Sequence, residues 1–334
     1  VKHVVFLFLC LLPAVLPARA QVPGRGDLRI LWYNTENLYH PEDDSINGDD
    51  EFTPDGIRNW SEARYRQKLA SVAKVIIAGG QEEPPEVVGL CEVENRRVVE
   101  ELASHPILEP YGYRVVHRES PDHRGMDVAC LYREKRIGLV NWRSLGSVAS
   151  GRGEGTRNLL FLELGWGPDT LELVLLHFVS KYSGEGATAV LRREQAEQLA
   201  GILDSLQERH PDRLKVAAGD FNDPWEAYSL EPLHTGRSGE GTLYSISLSG
   251  APGSYKYQGR WSCIDQFLVC GAVGRYRMAG EILALPPLLE PDGSYGGMKP
   301  NRTYQGYRYN GGISDHLPLL LTIRRSPVRG EGWR

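Results

Sequence analysis

The sequence predicts a strand-rich α/β protein, either an all-β layer or a mixed sandwich. Three observations carry this. Short apolar runs recur at intervals typical of strands, from Leu28 to Ile323. Two long segments, Glu62 to Ala78 and about Ala189 to Arg209, carry helical periodicity instead. The chain has 334 residues, 41% of them apolar and 24% charged, an ordinary globular composition with room for one large domain.

The first 20 residues stand apart. Lys2 and His3 precede an apolar run from Val4 to Leu12, and Ala18-Arg19-Ala20 has the small-x-small form of a cleavage site. This predicts a secretory signal peptide over 1–20, cleaved before Gln21, and a secreted or periplasmic protein spanning 21–334. A membrane anchor is the alternative, but the run is short and Pro13 and Pro17 break it. Cleavage would remove two of the 38 basic residues and none of the 43 acidic ones, leaving a net charge of −7. That argues against gripping a polyanion by bulk charge; a phosphate substrate would need a local basic cluster or metal ions. Cys91, Cys130, Cys263 and Cys270 lack metal-site spacing, and Cys91 and Cys130 read as buried, inert thiols.

Leu28 to Leu38 is the first expected strand, with Asn34 and Glu36 sharing a face. The acidic stretch Glu42 to Glu51 lacks the ligand spacing and central glycine of an EF-hand, so a solvated loop is expected. Ser61 is placed to cap the helix that follows, with Leu69, Val72, Ala73, Ile76 and Ile77 as its apolar stripe and Arg64, Arg66 and Lys68 on a solvated face. Glu86 to Glu92 is a short apolar strand ending in a carboxylate. Asn95 caps a helix bearing Val98, Val99 and Leu102.

Strands are then expected over Tyr113–His117, Met126–Tyr132, Arg136–Val140, Leu159–Leu164 and Leu171–Phe178. The second long helix presents Leu191, Gln195, Leu199, Ile202 and Leu206 on one side. Beyond it, Val216-Ala-Ala218 reads as the end of a buried strand, and Pro224 forces the chain to turn soon after. Asp220 and Asn222 are therefore presented together at a strand end. Trp261–Cys270 and Leu317–Ile323 complete the set.

Taken alone, Asp220 and Asn222 would be ordinary turn residues. Three other strand ends carry the same cargo: Asn34 with Glu36, Glu92, and Ser314-Asp315-His316. His177 and Asp265 sit in otherwise apolar strands, and a buried Asp flanked by Ile264 and Phe267 must be paired or lie in a site. Carboxylates, carboxamides and His without clustered Cys suit Mg²⁺, with Mn²⁺ or Ca²⁺ as substitutes. Such a set suits metal-assisted attack of water on a phosphate ester.

The stretches Trp32-Tyr-Asn34-Thr-Glu-Asn, Gly89-Leu-Cys-Glu92-Val-Glu-Asn, Leu176-His177-Phe-Val-Ser-Lys181, Gly219-Asp220-Phe-Asn222, Cys263-Ile-Asp265-Gln-Phe and Ser314-Asp315-His316-Leu-Pro318 follow one another along nearly the whole chain. In kind and order they resemble the endonuclease/exonuclease/phosphatase superfamily, secreted bacterial type. The resemblance implies a four-layered sandwich of two mainly antiparallel β-sheets flanked by helices, with the site at one edge.

It also implies roles. Glu92 would be the principal Mg²⁺ ligand, with Asn34 and Asp315 near the ion and Glu36 a helper. Asp220 would orient or deprotonate the attacking water, and Asn222 would hold a phosphate oxygen. His316 would contact the scissile phosphate with its ring fixed by Asp265, and His177 would stabilise or protonate the leaving oxygen. Lys181, Arg157 and Arg124 are candidate ligands of the non-bridging phosphate oxygens, or else solvated surface cations.

The loop Lys299 to Tyr309, rich in cations and aromatics, is expected to touch substrate. The expected activity is that of a phosphodiesterase or endonuclease, acting on a phosphate ester that could be nucleic acid. A phosphomonoesterase and a lipid or sugar-phosphate phosphodiesterase are the chemically close alternatives, and a dead binding protein the remote one. No apolar hairpin for membrane contact stands out, no stable membrane insertion is expected, and a monomer is.

Overall fold

The computed structural model describes residues 26–42, 48–80, 83–148, 156–234 and 241–327; the expected signal peptide and residues 43–47 of the acidic stretch lie outside them. The chain opens with β1 (Leu28–Leu38), α1 (Glu62–Ala78), β2 (Val87–Val93), α2 (Arg96–Ala103), β3 (Tyr113–His117) and β4 (Asp127–Arg133). β5 (Gly138–Leu145), β6 (Leu159–Trp166), β7 (Asp169–His177), α3 (Glu185–Arg209) and β8 (Leu214–Asp220) follow. The last part holds short strands β9 (Tyr244–Ser245), β10 (Leu248–Ser249), β11 (Tyr255–Tyr257) and β12 (Arg260–Ser262). Two longer ones come next, β13 (Asp265–Gly271) and β14 (Tyr276–Ile282). The chain then makes β15 (Leu289–Pro291), β16 (Met298–Pro300), β17 (Tyr304–Gln305), β18 (Arg308–Tyr309) and finally β19 (Leu319–Arg325).

Two sheets form the centre. One has seven strands in the order β10-β14-β19-β1-β2-β4-β3; the other has six, β5-β6-β7-β8-β13-β9. Most neighbours are antiparallel, but β1 with β2 and β7 with β8 run parallel at the middle of each sheet, as does the short β10 with β14 at an edge. One large core lies between the sheets and continues under α1 and α2; a second lies between the six-stranded sheet and α3. The result is the four-layered sandwich the resemblance implies.

The sheets approach closely at Gly89 of β2. A Cβ there would lie 2.8 Å from Leu175 Cδ2 of β7 and 2.9 Å from Trp32 Cε3 of β1, so only glycine fits without a shift. Both predicted N-caps are present. The Ser61 hydroxyl accepts from the Arg64 amide at 3.4 Å, and the Asn95 carboxamide accepts from the Val98 amide at 3.0 Å.

The structure departs from expectation in several places, and the strand expected over Arg136–Val140 runs instead from Gly138 to Leu145 as β5. The expected strand Trp261–Cys270 is two, because the chain leaves the β11–β12 hairpin at Ser262 and enters the six-stranded sheet at Asp265. β14, whose Arg277 and Glu281 face solvent, was not expected. α3 starts at Glu185, and its inner face holds Arg192 and Leu203, with Leu191 and Ile202 only half-buried. Arg192 turns inward because it meets Asp223 at 2.5 Å. Lys68 lies not on a solvated face of α1 but buried, bonded to the Glu36 carbonyl and to Thr303 Oγ1. Burial pushes the Cys91 and Cys130 thiols up.

Candidate active site

Register brings the first three groups together. Asp220 ends β8. Its parallel partner in β7 is His177, and its antiparallel partner in β13 is Asp265. Adjacent strands lie about 4.8 Å apart, so the three side chains are neighbours along the rim of one sheet. Asp265 thus opens its strand rather than interrupting it. The other sheet contributes Asn34 and Glu36 from β1, Glu92 from β2, and Asp315 and His316 from the turn before β19. That turn is fixed to β1 by the Ser314 hydroxyl, which donates to the Asn34 carbonyl at 2.7 Å. The centre therefore straddles the seam between the sheets.

Three of these positions are backbone-strained. Glu36, Glu92 and Asn222 have φ of 49°, 58° and 54°, in the left-handed region that non-glycine residues rarely adopt. At Glu92 the strain coincides with a register shift in β2, which turns the side chain out of the ladder. Strain of this kind persists only where surrounding structure enforces it, and it clusters at functional sites.

His316 Nδ1 meets Asp265 Oδ2 at 2.7 Å. Asp265 is held in turn by Trp32 Nε1 at 2.9 Å and Ser254 Oγ at 2.7 Å. Burial pulls the His316 pKa down, but Asp265, Asp220 and Asp315 overcome it and raise it well above the usual histidine value. The other ring nitrogen, Nε2, lies 3.9 Å from Asp220 Oδ2 and 4.0 Å from Asp315 Oδ1. Asp220 is itself pushed up to about 7, first by burial and then by Asp265. Its Oδ1 accepts from the Asn222 amide at 2.8 Å, and its Oδ2 from Asn34 Nδ2 at 3.2 Å.

Asn34 Nδ2 also donates to Glu92 Oε1 at 3.1 Å, while Asn34 Oδ1 accepts from the Glu36 amide at 2.9 Å. The Asn222 carboxamide donates to the Phe178 carbonyl at 3.1 Å. His177 faces Arg157, Nε2 to Nη2, at 3.1 Å. Burial, then Arg157, Arg124 and His316, lower its pKa well below the usual value. A ring held neutral in this way is poorly suited to protonating a leaving oxygen and is left with the stabilising role.

The three expected phosphate cations fare differently. Arg157 is buried at the centre, not solvated, but it is committed to Asp122 at 3.1 Å, to His177 and to the Phe178 carbonyl. Arg124 is half-exposed, 3.8 Å from Asp122, with its charge felt at His177. Lys181 is not brought in as a free cation: it pairs with Asp223 at 2.6 Å and Glu185 at 3.1 Å, bracing the loop after Asn222.

Two further cations lie beside the centre: Arg302, from the loop expected to touch substrate, and Lys68, expected on a solvated face. Arg302 bridges Asp315 at 2.9 Å and Glu36 at 3.4 Å. Lys68, lowered to about 8 by burial against the pull of Glu36, Glu92 and Asp315, sits beneath the same acids. Its signal was present in the sequence as a charge on the buried Tyr65-Lys68-Leu69-Val72-Ile76 face of α1.

The donor set fits a hard divalent cation. Burial and then the neighbouring Asp315 push Glu36 up to about 7, a mark of crowded negative charge that a metal would relieve. Asp220, Asp265 and His316 each offer a ligand atom within 4.8 Å of the others. A protonated His316 has no lone pair to give, so that trio works as a hydrogen-bonded unit and not a cage. Glu92 and Asp315, each about one-fifth exposed, are the carboxylates open to an ion, with Asn34 between Glu92 and Asp220. Glu36 is buried, accepts from the Thr303 amide at 2.6 Å and from Arg302, and so stands behind them. Glu94 is spoken for by the His40 amide at 2.6 Å.

Comparison with known proteins bears on the fold and the family. Solved structures that share the fold include an endonuclease/exonuclease/phosphatase from Bacteroides vulgatus, mannosyl-6-phosphatase of Bacteroides thetaiotaomicron VPI-5482, and D. rerio TDP2 complexed with single-strand DNA product. The first has TM-score 0.59 and 17% identity, covering 90% of this chain and 100% of that one. The second has TM-score 0.58 and 15% identity, covering 89% and 99%. The third has TM-score 0.56 and 15% identity, covering 90% and 100%. No curated protein matches the chain significantly in sequence. The model of the endonuclease/exonuclease/phosphatase family matches residues 29–325, and the chain belongs to that family of phosphoester hydrolases.

Proposed function

We propose that this protein is a metal-dependent phosphodiesterase, acting as an endonuclease, that cleaves a phosphate ester with a water held by Asp220. The observation that carries the reading is the pairing of a carboxyl near neutrality, Asp220, with a charged His316 whose free Nε2 lies 3.9 Å away. A carboxyl with a pKa near 7 is suited to take a proton from water at neutral pH. The imidazolium, locked by Asp265, already carries its proton and is suited to bind the scissile phosphate and offset its growing charge.

Asn222 fixes the loop that carries it and stands beside a non-bridging oxygen. Arg157, donating to His177 Nε2, brings positive charge to the side where the leaving oxygen gathers charge. A divalent cation, held by Glu92 and Asp315 with Asn34 nearby, would polarise the phosphoryl group when bound. Mg²⁺ suits this oxygen set. The hydropathy and cleavage pattern of residues 1–20 supports export of the mature protein from Gln21.

The test is hydrolysis of plasmid DNA, RNA, bis(p-nitrophenyl) phosphate and p-nitrophenyl phosphate with Mg²⁺, Mn²⁺, Ca²⁺ or EDTA. Diester cleavage that EDTA abolishes is expected; full activity in EDTA, or cleavage of the monoester alone, overturns the reading.

A further inference from the structure

Beside the centre, a small pocket of about 190 Å³ opens between two hairpin turns and shares Arg302 and Asp315 with the site. Its inner wall is Tyr255, whose ring lies 4.9 Å from the His316 ring. Its mouth is flanked by Tyr257 and Tyr295, 63% and 61% exposed. The first hairpin, β11–β12, turns through Gln258 and Gly259, both at positive φ (47° and 79°), the pattern of a tight two-residue turn. A Cβ at Gly259 would lie 2.8 Å from Tyr295 Cβ, so the two turns are pressed together. Lys256, nearly buried, pins them: its ammonium meets Asp292 at 2.8 Å and donates to the Gly296 and Met298 carbonyls at 2.9 and 3.2 Å. The pocket is thus a built feature of the fold.

Its charges say what it holds. Lys256 is matched by Asp292, Lys299 by Glu290 at 3.4 Å, and Arg302 by Asp315 and Glu36. With its cations matched in this way, the pocket is a poor place for a second phosphate. Tyrosine faces and paired polar groups suit a neutral ring, which can stack while hydrogen-bonding at its edge. The volume is below that of drug-sized sites and admits one ring, not a chain of them.

We propose that this pocket is a specificity subsite for a single uncharged, hydrogen-bonding ring, a nucleobase or a pyranose, carried by the ester group on the His316 side of the phosphate. The inference rests on the hydrolase reading above and adds the kind of substrate that reading leaves open. Tyr257 and Tyr295 set the preference, and Lys256 acts as a positioning residue by keeping the two turns together.

The experiment compares four p-nitrophenyl phosphodiesters with one leaving group, so that only the second ester group changes: methyl, thymidin-5′-yl, thymidin-5′-yl carrying a 3′-phosphate, and the 6-yl ester of methyl glucopyranoside. kcat/KM for a ring ester should exceed that for the methyl ester roughly tenfold, the size of one stacking contact. Whichever ring gains identifies the source, and the extra 3′-phosphate should add nothing. Tyr257→Ala and Tyr295→Ala, both at exposed positions, should each lower the ring-to-methyl ratio, and together bring it towards one. Equal kcat/KM for ring and methyl esters, or a ratio indifferent to both tyrosines, overturns the subsite alone. Absence of turnover for all four overturns the hydrolase reading and the subsite with it.

Discussion

At the scale of single residues, the centre divides into groups that act as units and groups that act alone. Asp265 and His316 share a 2.7 Å hydrogen bond and the same buried surroundings. Asp265→Asn should therefore cost nearly as much kcat as His316→Ala, with the double variant little worse than either, since losses within a unit do not multiply; steady-state kinetics of the three variants would show otherwise if the two residues worked independently.

Glu92 and Asp220 share Asn34 Nδ2 as a donor but have separable tasks. Glu92→Gln keeps the shape but removes a charge, so it should raise the Mg²⁺ concentration needed for half-maximal activity and recover at high Mg²⁺. Asp220→Asn should lower turnover even at saturating Mg²⁺, because an amide cannot take a proton from water. A Mg²⁺ titration of both variants separates these outcomes, and rescue of Asp220→Asn by metal would reverse the assignment of roles.

At the scale of elements, α1 does more than cover a sheet. Lys68 reaches from the helix to the Glu36 carbonyl at the end of β1 and to Thr303 in the loop before β17. One ammonium therefore joins three segments under the acids. Lys68→Met should destabilise the protein by on the order of 3 kcal/mol, as removal of one buried charge leaves its partners uncompensated, and should lower activity by loosening Glu36 and Arg302; urea unfolding and kcat/KM on the same preparation measure both.

The sequence revealed the strand-end residues because each follows an apolar run that must be a strand. It did not give the partners of Lys68, Trp32 and Arg302, because they lie far along the chain: Lys68 meets Thr303 across 235 residues, Trp32 meets Asp265 across 233 and Arg302 meets Glu36 across 266. The break at Cys263–Ile264 was invisible for the opposite reason, since apolar character runs straight through it while the strand pairing does not.

At the scale of the whole molecule, the fold carries stored electrostatic tension. Asp220 and Glu36 both rise to about 7 in the folded state, from the ordinary carboxyl values of 3.8 and 4.5. Between those limits the folded protein holds more protons than the unfolded one. The stability these groups contribute is thus full below about pH 4 and lost as pH rises through 7. In metal-free protein, the Tm advantage of Asp220→Asn over wild type should grow between pH 5 and pH 8, and added Mg²⁺ should narrow it by neutralising the same charge. A difference in Tm that stays flat over that interval would mean that Asp220 titrates normally.

The seam at Gly89 has a consequence for how this protein fails. The reacting groups are divided between the two sheets, and the sheets meet where Leu175 and Trp32 leave no room for a Cβ. Each sheet keeps its own ladder of hydrogen bonds whichever way its neighbour slides. Catalytic geometry is far less forgiving, since a misplacement of about 1 Å can remove two orders of magnitude in rate. Turnover is therefore a finer gauge of alignment than any optical signal of folding. Under heat, pressure or a crowded core, this molecule should fall silent while it still looks native.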